Sequence, residues 1–142
     1  MRRLLFCLLM AAAKMTAANA QNAAFKCTIY NDEYKIFITM NLYDKDVIIP
    51  GQEIIGQVDG FIGSEQCAHV WMFTSSDVTN GTTAHFEATN NYGSEDFSAR
   101  LTLNGDGSYT FKHTGGSTLK FPVKNKWQKI PGTLTFTPRT AE

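Results

Sequence analysis

The sequence predicts an all-β domain, an antiparallel up-and-down meander of about eight or nine short strands. Three observations carry that reading. Apolar residues recur at every second position, turn-forming clusters fall about ten residues apart, and no window after residue 21 shows an i, i+3, i+4, i+7 stripe.

The first twenty residues stand apart from this pattern. Arg2 and Arg3 precede an apolar run from Leu4 to Ala13, and Ala18-Asn19-Ala20 follows with the small-x-small spacing that a signal peptidase accepts. Residues 1–20 therefore read as a cleavable signal peptide, cut after Ala20, and residues 21–142 as one all-β domain. The competing readings are a buried N-terminal helix or a lipid attached at Cys7, whose neighbour Phe6 is too large for a lipidation motif. The apolar run is too short for a bilayer, which needs about 20 residues, so no transmembrane segment is expected. The protein is expected to be exported, to the periplasm or outside the cell.

Strands are expected near residues 25–30, 34–42, 52–58, 67–74, 82–89, 95–103, 108–114, 117–123 and 133–137. The second is the clearest: Tyr34, Ile36, Ile38, Met40 and Leu42 alternate with polar Lys35, Thr39 and Asn41. Phe97, Ala99, Leu101 and Leu103 repeat the pattern, as do Leu119, Phe121 and Val123. Between the runs lie clusters of Asn, Asp, Gly and Ser, which supply positive φ or bond back to the turn backbone. Leu103-Asn104-Gly105-Asp106-Gly107-Ser108-Tyr109 is the plainest hairpin. Ser75 to Gly81 reads as a loop, and Gly51 to Ser64 as the loosest part of the middle. Pro122 is expected at an edge or a bulge, because it cannot donate to a central ladder. Closure into a barrel removes the edges that a sheet this long would expose, with a β-sandwich as the alternative.

Cleavage after Ala20 would leave 10 basic and 13 acidic residues, a net charge of −3. That balance argues against general nucleic-acid binding, which needs clustered basic charge. The charge is uneven: residues 21–99 carry 3 basic and 11 acidic side chains, whereas residues 100–142 carry 7 and 2. Either the halves attract each other as neighbouring strands, or the C-terminal part offers a basic face to an anionic partner. Two cysteines would remain, Cys27 and Cys67, and an even pair in an oxidising compartment reads as a disulfide. Its ring of about 41 residues would contribute about 4 kcal/mol in the chain-entropy model.

Two candidate binding surfaces follow. If residues 67–74 and 82–89 pair across the Ser75–Gly81 loop, Trp71 falls near His85, and His69, Trp71, His85 and Glu87 share one face with Cys67 and Phe73. Two imidazoles, an indole and a carboxylate together suit a ligand, although an ordinary half-buried face tolerates the same residues singly. The second surface is Lys120 to Lys129, where Lys120, Lys124, Lys126 and Lys129 interleave with Phe121 and Trp127. Such a patch suits anionic glycans or acidic proteins through charge and stacking, or it is a solvated edge whose lysines deter pairing.

Other motifs point away from chemistry. His69, His85 and His113 lack HxH or HExxH spacing, so no metal and no cofactor is expected. Asn104 to Gly107 lacks the full calcium-loop pattern. Glu95 and Asp96 are adjacent and would leave a strand on opposite faces, and Ser75 and Ser76 sit in no GxSxG turn. Asn80-Gly81-Thr82 fits the glycosylation pattern.

An exported chain of about 120 residues in a β meander with one disulfide resembles calycin-type barrels and small exported inhibitor barrels. The resemblance is one of architecture and implies no site residues. The leading expectation is an exported, non-catalytic binding or interaction protein, inhibitor-like in kind, whose partner is a protein or a glycan. The alternative is a lipocalin-like barrel holding a small apolar ligand. An enzyme is the least supported class, because nothing pairs a nucleophile with a base. A closed cavity lined by aromatics would favour the ligand, and a packed core with a projecting loop would favour a protein partner.

Overall fold

A computed structural model describes residues 23–139 of the chain, and the expected signal peptide lies outside them. Twelve strands are present among the described residues. In chain order they are β1 (Lys26–Asn31), β2 (Ile36–Asn41), β3 (Val47–Ile48), β4 (Gln57–Val58), β5 (Gly60–Ser64) and β6 (Cys67–Asn80). There follow β7 (Thr83–Asn90), β8 (Asp96–Leu103), β9 (Tyr109–Gly116), β10 (Lys120–Val123), β11 (Lys126–Lys129) and β12 (Thr133–Pro138).

Eight of them close an antiparallel barrel in the order β1-β2-β5-β6-β7-β8-β9-β12, with β12 returning to β1. This is the up-and-down closure expected of the meander, a barrel of calycin-like architecture, and the sandwich alternative falls away. Two excursions interrupt it. One, between β2 and β5, holds the β3–β4 ladder and a single 3-10 turn at Glu53–Ile55. The other, between β9 and β12, is the β10–β11 hairpin, where Pro122 sits in a two-stranded sheet, as an edge position requires.

The lumen is filled by side chains. Alternation places Ile36, Ile38 and Met40 inward from β2, Ala84, Phe86 and Ala88 from β7, and Phe97, Ala99 and Leu101 from β8. Alanines leave room for the rings of their neighbours, the small and large alternation that fits a narrow barrel. Phe73 stacks on Phe86 at 4.0 Å, and edge-on or tilted contacts continue from Phe86 through Phe97 and Phe111 to Phe136. Burying each such ring stabilises the fold by roughly 1.5–3 kcal/mol.

Four expectations require correction. The segment read as loose contains β5, a barrel strand, because its glycines serve close packing. A Cβ at Gly63 would lie 2.5 Å from the ring of Phe37, its partner on β2, and one at Gly60 would lie 2.7 Å from the Thr39 carbonyl. Glycine in a strand marks such close approaches as readily as it marks a loop. Secondly, the strand expected near 52–58 shrinks to the 3-10 turn and β4. Thirdly, β6 runs straight through the expected Ser75–Gly81 loop to Asn80, and the turn to β7 contains only Gly81 and Thr82. Asn80 Oδ1 accepts the Thr82 amide at 2.9 Å and closes it.

The fourth correction concerns the disulfide: Cys27 and Cys67 are free thiols. Going round the barrel from β1 to β6 takes three steps through β2 and β5. At about 4.8 Å per step that separation exceeds the roughly 7 Å between Cα atoms that a disulfide can span. Cys27 packs beneath the barrel end instead, its Sγ 3.6 Å from the Tyr109 hydroxyl. Burial pushes the thiol pKa up, and the Tyr109 hydrogen bond partly opposes that. The barrel is therefore held by its core and by ladder closure.

Candidate functional site

The bulge in β6 decides where the predicted residues point. Inward residues are odd-numbered up to Phe73, which pairs with Ala88. The register then slips at Thr74, so Ser75 opposes Glu87 and Asp77 opposes His85, all facing out. An extra residue in one strand reverses the facing of everything beyond it. His69 and Trp71 consequently lie inside, while His85 and Glu87 lie outside. Trp71 pairs with Asn90, not with His85. The single face expected to carry all four residues does not form.

The outer pair borders a shallow polar cleft of about 280 Å³ with Ser75, Asp77, Ser98 and Thr114. The Ser75 hydroxyl donates to Glu87 Oε2 at 3.4 Å. The three histidines are dispersed. His113 stacks on Phe97 at 5.6 Å, with its Nε2 2.8 Å from the Ser117 carbonyl.

The inner pair meets the second predicted surface. Lys124 and Asn125 take φ of 52° and 65°, the left-handed pair that a two-residue hairpin turn needs, so Lys120 to Lys129 folds as β10 and β11. The Trp71 indole N–H donates to the Lys120 carbonyl at 3.0 Å and ties that hairpin to the barrel. Phe121 is fully buried, whereas Trp127 stays half-exposed. Around the His69 ring stand Trp71, Tyr92, Phe121 and Trp127, each with its centroid about 6 Å away. Tyr92 arrives from the turn between β7 and β8. Asn90 caps that turn through the Ser94 amide, and Asn91 accepts the Val70 amide at 2.7 Å.

His69 is buried, and its Nε2 has no hydrogen-bond partner. Burial lowers its pKa, with Glu95 pulling the other way, so the imidazole is neutral at pH 7. Lys120 Nζ lies 3.4 Å from Glu95 Oε1 and 5.0 Å from the centre of the Trp127 ring. Lys124, Lys126 and Lys129 are exposed and form no ion pair among the described residues. The result is a rim at one end of the barrel, with two exposed aromatics, Trp127 and Tyr92, beside four lysines and one carboxylate. It can stack on a planar or apolar surface and attract negative charge.

Sequence reasoning named Lys120, Trp127 and His69 but missed Tyr92 and Glu95. The available signal was a tyrosine at the tip of an Asn-rich turn, where it could not be core. Part of the uneven charge is paired across the halves, Arg139 binding Asp32 at 2.6 Å and Glu65 at 3.0 Å as Lys120 binds Glu95, while Lys124, Lys126 and Lys129 form no such pair among the described residues.

The fold and rim define an all-β barrel with a packed lumen and an aromatic, basic end. Comparison with protein-family models, with curated proteins and with solved structures finds no match. Among the described residues no helix is long and apolar enough to cross a membrane.

Proposed function

We propose that this is an exported, non-catalytic binding protein that engages an acidic partner, glycan or protein, through the rim of Trp127, Tyr92 and the β10–β11 lysines. One observation carries the reading: Trp127 is 52% and Tyr92 80% exposed beside a ten-residue segment with four lysines and no acidic residue. Trp and Tyr are residue types that anchor interfaces, and the unpaired lysines beside them attract an anionic partner. The aromatic stack across the lumen supports a surface partner over a ligand held inside the barrel. Export rests on residues 1–20 alone, since the free thiols lend it no support.

The test is retention on immobilised heparin and on immobilised polyglutamate across a salt gradient. Retention on either should fall sharply in Trp127→Ala and in a Lys124→Glu, Lys126→Glu, Lys129→Glu triple variant. If the triple variant elutes with the parent protein from both, the rim is not the binding surface.

A further inference from the structure

The outer wall over β2, β5 and β6 carries a feature that the rim does not explain. The excursion between β2 and β5 folds back over this wall and leaves an open cleft of about 370 Å³. Phe37, Phe61 and Val70 line it from the barrel, and Ile48 and Ile49 from the excursion. Its volume lies within the range of small-molecule sites, about 300–1,000 Å³.

Two properties select the occupant. No Asp, Glu, Lys, Arg or His lines the cleft, although the chain carries 13 basic and 13 acidic residues. A charged ligand would lose its water there and find no counter-ion. Thr39 carries the polar side chain that faces it, a hydroxyl 3.1 Å from that of Thr28, while Ser64 and Cys67 border it from register positions that face the lumen. The same excursion also leaves Ile48, Ile54 and Ile55 exposed at 43%, 99% and 44%. Single exposed apolar residues are ordinary, but of these three Ile48 lines the apolar cleft itself, which gives its exposure a use.

We infer that this cleft binds a small, neutral, mainly apolar molecule, of the class of a fatty alcohol or an isoprenoid chain, on the outside of the barrel. The molecule lies between the barrel wall and the excursion, and a hydroxyl or carbonyl at its end meets the Thr39 hydroxyl. None of the residues named for the rim borders this cleft, so the two sites stand or fall separately.

The experiment is a fluorescence titration with Nile red, a neutral apolar dye, followed by displacement with a fatty alcohol. Saturable one-site binding is expected. Ala68→Trp fills the cleft from an exposed strand position, and Val70→Asp puts a charge into it. Each should weaken dye binding by about tenfold or more while the circular dichroism spectrum is kept. Trp127→Ala should leave dye binding unchanged. Non-saturable binding, or binding indifferent to both cleft variants, overturns the inference. So does a parent protein that sediments as a dimer and becomes monomeric in Ala68→Trp, which would make the cleft a contact between copies of this chain.

Discussion

The two excursions from the barrel solve the same topological problem in opposite ways. The β10–β11 hairpin seals one end of the barrel from within. Phe121 is fully buried, Trp71 bonds to the Lys120 carbonyl, and Trp127, Asn125 and Lys124, Lys126 and Lys129 face water. The excursion between β2 and β5 lies against the outer wall with Ile49 buried, three isoleucines exposed and polar ties at its two ends. Asn41 binds Asp44 and Asp46 at its start, and the Lys45–Asp59 pair joins its two ends. A connection that inserts large rings into the lumen joins the cooperative core. One that rests on the outside keeps apolar surface available.

The largest expected effect tests that contrast directly. Trp71→Ala removes a fully buried indole and the bond that holds the hairpin, and should cost about 3–5 kcal/mol in urea denaturation. Trp127→Ala should cost far less, because half of its side chain already faces water. Equal losses would make the rim part of the core and end its reading as a surface.

On the outer wall, Gly63→Ala should cost about 1–3 kcal/mol, since its Cβ would overlap the Phe37 ring. Adding Phe37→Leu should recover part of that loss. If the two losses simply add, the ring contact is not what requires glycine there.

A smaller effect comes from pH. The folded-state pKa of His69 is lowered by burial, so the fold favours the neutral imidazole. Its contribution is fully present above the unfolded value of about 6.5 and is lost as pH falls below that toward the folded value. The denaturation midpoint should drop between about pH 7.5 and pH 5, and His69→Phe should flatten that slope. An unchanged slope in the variant would assign it to other groups. The smallest effect is expected at the Lys120–Glu95 pair, which is partly exposed: Glu95→Gln should cost less than about 1 kcal/mol by denaturation.

Much of the barrel was legible because period two is a property of neighbouring residues. The β2, β8 and β9 runs each show it, and each is a barrel strand. What escaped depends on contacts made through space. The strand β5 has too few side chains to display a period, and the need for Gly63 is visible only once Phe37 lies across it. Thr74 carries no mark of a bulge, yet it turns His85 and Glu87 away from His69 and Trp71. The rim was half legible: composition picked out Lys120 and Trp127, while their meeting with His69 and Tyr92 depends on how the hairpin folds back.

The separated thiols give the molecule two chemically distinct labels. Cys67 borders the outer cleft, whereas Cys27 sits under the barrel end against Tyr109 with its thiolate disfavoured. Both thiols are partly exposed, so an alkylating reagent should modify Cys27 the more slowly of the two because its thiolate is disfavoured. The lag between the two reactions, read by mass, then reports how tightly the start of β1 packs against Tyr109.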